Sequence, residues 1–192
     1  MTLAALALGL YAFGFFLIDA INPPFKVRFE AYPALARLHV LPGGLALIVG
    51  AFQFSRRIRS RYPTLHRYVG RIYIAAVLAG AVGGFLIAFR AHGGAITGFG
   101  FGTLAVIWAY SVWQAYRYAR ARNFLDHQRW MIRNYALTFA AVTLRIELVS
   151  LEHGFGLSFD QAYAIVAWFS WIGNLVVAEW LFVERLGRPA RS

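Results

Sequence analysis

The chain has 192 residues, the length of one ordinary domain, and 60% of them are apolar with 17% aromatic. Soluble proteins hold about 45–50% apolar residues, so a chain this short could not hide that surface from water, and the expected solvent is lipid. A formal charge of +11 read alone would suggest nucleic acid, but the basic residues form short runs between long apolar stretches, as in the cytoplasmic loops of a membrane protein, and no nucleic-acid partner is expected.

Six stretches are long and apolar enough to cross a hydrocarbon core of roughly 30 Å, which takes about 20 helical residues. They fall near 2–21, 35–54, 70–90, 99–118, 133–151 and 162–183. Backbone polar groups cannot stay unpaired in lipid, and the stretches lack the alternation of barrel strands. The fold class read from them is all-α, one polytopic transmembrane bundle over residues 1–192.

The first stretch has no basic residue before it, whereas Lys26 and Arg28 follow it. Alone, it would orient its N-terminus outward, and the missing basic n-region argues against a cleaved signal peptide. Asp19 stands at its outer end. The second stretch carries His39 at its outer end. Pro33 sits where a first helical turn tolerates a missing amide, while Pro42, beside Gly43 and Gly44, predicts a kink.

A basic loop at 55–71 leads into the third stretch, where Gly80 and Gly84 make a small-xxx-small pair; Gly98 and Gly102 make another in the fourth. These pairs predict close packing of the third and fourth helices. The sharper reading is a flat surface for a planar cofactor. His92 lies in the outer loop between them. After a second basic loop at 117–134, the fifth stretch holds Arg145 and Glu147 inside the apolar run, and His153 follows in a loop. The sixth holds Asn174 at its middle and Glu179 toward its end.

Fourteen of the nineteen basic residues fall in the two long loops and the tail, and four on the opposite side. That asymmetry predicts that both termini are cytoplasmic.

The two loops repeat one phrase. "RSRYPTLHRYVGRIY" and "RARNFLDHQRWMIRNY" each place Arg-x-Arg, four residues and a histidine, with His66 standing 61 residues before His127. The reading is a duplicated hairpin, the second and third stretches repeated as the fourth and fifth. It places His66 and His127 at matching inner ends, as opposed imidazoles suited to a b-type haem iron, with Arg67 and Arg129 beside them for the propionates. The plainer reading is a set of interfacial basic side chains touching lipid phosphates. His39 and His92 form a second, weaker opposed pair. The absence of cysteine excludes disulfides, thiolate metal sites and c-type haem, and no HExxH spacing points to zinc.

Arg145 falls about 18 Å into its helix, counted from Arg133 at 1.5 Å per residue. A charge at that depth is expected to be buried and paired. Glu147, two residues on, points to another face, so Asp19 and Asn174 are the better partners by depth. Glu179 is expected to meet Arg71, Arg133 or Arg185.

"LHVLPGGLALIVGAFQF", "HRYVGRIYI", "HQRWMIRNYALTFAAVTLR" and "AWFSWIGNLVVAEW" occur in order over about residues 35–182. With them the chain resembles the bacterial membrane proteins called domain-of-unknown-function 2306. The resemblance implies a multi-pass membrane protein without an assigned activity. It carries over His39, His66, Arg67, His127, Arg129, Trp130, Arg145, Asn174 and Glu179 as motif positions. The architecture is also similar, more loosely, to the six-helix, two-haem b-type cytochromes, although the fourth stretch has no internal histidine.

Three functions follow as expectations. The first is a haem-b electron carrier exchanging electrons with quinone or another redox partner. The second is a small-solute or proton transporter with a polar path through Arg145 and Glu179. The third is a membrane scaffold without chemistry of its own. No nucleotide loop, nucleophile elbow or zinc motif is present, which disfavours hydrolases and transferases. The sequence leaves the substrate and the oligomeric state open.

Overall fold

The computed structural model describes residues 2–14 and 31–186. Among them it is all helix, and the chain divides into two compact units, Met1–Ala91 and His92–Ser192. The first unit holds α1 (Thr2–Gly14), α2 (Pro33–Gln53), the short α3 (Arg56–Arg61) and α4 (Pro63–Ala88). The second holds α5 (Gly94–Arg120), α6 (Phe124–Val149) with a π-helical turn at Ser150–Gly154, and α7 (Phe159–Ala178) with a second such turn at Glu179–Val183.

Among the described residues, four helical stretches are long and apolar enough to cross a membrane: Pro33–Gln53, Pro63–Ala88, Gly94–Arg120 and Phe159–Val183. The described part of α1 is 13 residues, and the expected span to 21 runs beyond the described residues. α6 has 26 residues, but its charges, Asp126, Arg129, Arg133, Arg145 and Glu147, lower its hydropathy below that of the other four.

The basic phrases are helical, which corrects the reading of long loops at 55–71 and 117–134. Arginine is a good helix former, and each phrase supplies its own helix start. Pro63 opens α4 at a first-turn position. Asn123 caps α6, its side chain accepting from the Asp126 amide at 3.2 Å. What remains of the second loop is a turn at 121–123, with Arg122 in the left-handed region at φ 59°.

Pro42 lies inside α2, which continues on both sides of it. Pro42 cannot donate to the Leu38 carbonyl, and the backbone at Leu38 and His39 is where α4 comes closest. A Cβ on Gly83 would stand 2.7 Å from the His39 nitrogen, and one on Gly84 would stand 2.8 Å from its Nδ1. The Gly80 region therefore does accept a close neighbour, but that neighbour is α2. The planar group against these glycines is the His39 imidazole. In the second unit the close approach is at Gly100, where a Cβ would meet the Ala167 carbonyl oxygen of α7 at 2.8 Å.

α2 and α5 begin 61 residues apart, at Pro33 and Gly94, and α4 and α6 match at both ends with the same offset. Their inward faces also match. Ala36 and Thr97, Leu47 and Trp108, Gly50 and Ser111, Tyr73 and Asn134, and Val77 and Thr138 are five such pairs, and all ten residues are buried.

Candidate functional site

His66 is the fourth residue of α4 and His127 the fourth residue of α6. Each backbone amide donates to the carbonyl of its helix-capping residue, His66 to Tyr62 and His127 to Asn123, both at 3.0 Å. Both side chains are half-buried. The His127 Nδ1–H donates to the Ala115 carbonyl of α5 at 2.8 Å. In a neutral ring this bond makes Nε2 the lone-pair nitrogen. Such a bond is the usual outer support of a metal-ligating imidazole.

The other histidines take separate roles. His39 Nδ1–H donates to the Gly80 carbonyl at 2.8 Å. His92 meets Asp160 at 2.5 Å, tying the start of the second unit to the first turn of α7. His39 and His92 thus belong to different units, and each has a ring nitrogen committed within its own. His153 lies in the first π-helical turn and contacts its own helix at the Val149 carbonyl. Among the described residues no group of three or more histidine, aspartate or glutamate side chains could hold a metal ion.

Arg67 is exposed and donates to the Thr64 hydroxyl at 3.3 Å. Arg129 is committed to Asp126 at 3.0 Å and to the Leu186 carbonyl at 3.1 Å. Arg133 is bidentate on Glu179, at 2.8 and 2.7 Å, with its guanidinium carbon 4.9 Å from the centre of the Trp130 ring. Of the three arginines expected for Glu179, Arg133 is the one that binds it. The fork geometry adds direction to the charge attraction.

The intramembrane polar residues depart further from expectation. Arg145 is exposed and donates to the Ala141 carbonyl one turn back at 2.7 Å, so the expected burial is overturned. A long guanidinium stem lets the head fold along its own helix surface instead of entering the core. Asn174 accepts from the Thr143 hydroxyl at 3.0 Å and donates to the Ala136 carbonyl at 3.1 Å, which joins α7 to α6. Glu147 is half-buried, and its Oε2 finds no hydrogen-bond partner among the described residues. Asp19 lies outside the described residues.

One polar cluster escaped the sequence reading. Asn134 Nδ2, fully buried, donates to the Trp108 carbonyl and to the Ser111 hydroxyl, both at 2.8 Å. Trp108 Nε1–H donates to the Thr138 hydroxyl at 2.8 Å, and that hydroxyl donates to the Asn134 carbonyl at 2.9 Å. The available signal was Asn134 and Thr138 four residues apart in an apolar run, which puts them on one helix face.

A family model described as "Predicted membrane protein (DUF2306)" matches residues 36–182. The chain belongs to the DUF2306 family. The matched stretch contains His39, His66, His127, the buried α5–α6 cluster and the Arg133–Glu179 pair. As a DUF2306 member with four helices apolar enough to span, it is a membrane protein. No curated protein and no solved structure matches it.

Proposed function

We propose that this DUF2306 chain is a six-span bacterial inner-membrane protein, both termini cytoplasmic, that binds b-type haem through His66 and His127 and carries single electrons. The observation that carries the reading is the His127 Nδ1–H bond to Ala115, which holds the imidazole in the tautomer an axial ligand needs. The matched place of His66 in a helix of the same register supports it, as does the 61-residue offset of the helix starts, which favours a duplicated hairpin. When bound, haem would supply one-electron exchange with a quinone or another redox partner. Arg67 is the better propionate partner, because Arg129 is already held by Asp126 and Leu186.

The test is expression with ample haem, followed by purification and a reduced-minus-oxidised spectrum. A low-spin bis-histidine signature is expected, lost in His66→Ala and in His127→Ala and kept in His153→Ala. A colourless preparation overturns the reading. Solute flux in vesicles from such a preparation would favour the transporter, and stable co-purification alone the scaffold.

A further inference from the structure

Four arginines of the second unit fall into two kinds. Arg129 and Arg133 each face a carboxylate, Asp126 and Glu179. Arg117 and Arg120 do not. They sit three residues apart in the last turn of α5, and each is held by a neutral group. Arg117 Nη1 donates to the Gln114 side-chain oxygen at 3.2 Å, and Gln114 in turn donates to the Tyr110 hydroxyl at 2.6 Å. Arg120 Nη1 donates to the Tyr116 hydroxyl at 3.2 Å, with its guanidinium carbon 6.0 Å from the centre of that ring. Among the described residues neither guanidinium meets an acid. A surface recess of ≈ 450 Å³ opens between Tyr116, Arg117, Tyr118, Arg120 and Ala121.

We propose that this recess binds the phosphate of an anionic lipid headgroup. The two guanidinium groups are oriented by bonds that leave their charge uncompensated, and a guanidinium fork matches a phosphodiester. The half negative charge at the C-terminal end of a helix opposes an anion, but two full positive charges outweigh it. Tyr116 and Tyr118 are of the residue type enriched at membrane–water interfaces, the level at which headgroups lie. The occupant is therefore a lipid, not free phosphate. This site is independent of the haem reading.

The test uses the full chain in nanodiscs of phosphatidylcholine with a minor share of phosphatidylglycerol, reading retained lipid by native mass spectrometry. The chain should keep phosphatidylglycerol in preference to phosphatidylcholine. The double variant R117Q/R120Q should lose roughly thirtyfold of that preference, at about a kilocalorie for each of the two basic residues near an anionic surface. R90Q should retain it. Unchanged retention in R117Q/R120Q overturns the proposal. So does inorganic phosphate that raises the melting temperature in phosphatidylcholine as much as phosphatidylglycerol does. Should the double variant fail to fold, photoactivatable phosphatidylglycerol on the unaltered chain decides the matter. Label on the 116–121 peptide supports the site, and label only elsewhere overturns it.

Discussion

Asn134 of α6 donates to the main-chain carbonyl of Trp108 in α5, 2.8 Å away and fully out of solvent. A side-chain amide spent on a helix carbonyl and a neighbouring hydroxyl ties the two helices by direction as well as by packing. Asn134→Leu should therefore lower unfolding stability by about 1–2 kcal/mol, in the range of intramembrane hydrogen bonds. Thr138→Val should cost a comparable amount, about 1–2 kcal/mol, because the buried Trp108 Nε1–H loses the hydroxyl that accepts from it. Denaturant titration in detergent measures both, and an Asn134→Leu protein as stable as its parent contradicts the role assigned to the amide.

Alanine at Gly83 and at Gly43 should act in opposite directions. The new Cβ at Gly83 would press on backbone of α2 at 2.7 Å, which cannot rotate away, whereas Gly43 has nothing within 4 Å. Gly83→Ala is expected to cost about 1–3 kcal/mol through overpacking. Gly43→Ala should be neutral or stabilising by up to about 1 kcal/mol through helix propensity. Melting temperatures of the two variants side by side provide the check.

The Arg133–Glu179 pair is partly exposed, with side-chain exposures of 25% and 43%, so its worth is screened. A double-mutant cycle of Arg133→Gln and Glu179→Gln should return a coupling of about 0.5–1 kcal/mol, above a lone surface pair only because the contact is bidentate. A coupling indistinguishable from zero would mean the fork contributes no stability.

Reporter fusions test the orientation. Fusions after residue 60 and after residue 125 should both read cytoplasmic, since the stretches 55–71 and 117–134 hold most of the arginines of the chain. A periplasmic signal at either position reverses the proposed topology.

Much of the fold was legible in the chain because the decisive signals are local. Apolar runs near the length of a bilayer and the arginines between them act over a few residues. Helix ends were misjudged where charge was taken for loop: α4 begins at Pro63 and α6 at Phe124, since arginine side chains interrupt hydropathy without interrupting helix. Glu179 was assigned a short set of arginine partners by depth, and one of them proved correct.

Other outcomes depended on what covers each level of a helix face, which no short stretch encodes. Asn134, Thr138 and Arg145 stand near one face of α6 by helical spacing, yet Asn134 and Thr138 are buried while Arg145, further along the axis, is exposed on the Ala141 carbonyl. The 61-residue repeat was visible in the letters. That Tyr73 and Asn134 occupy matching buried positions was decided only by tertiary packing. Each helix chooses its inward face by what the neighbouring helices offer it: glycines for His39, and a carbonyl and a hydroxyl for Asn134.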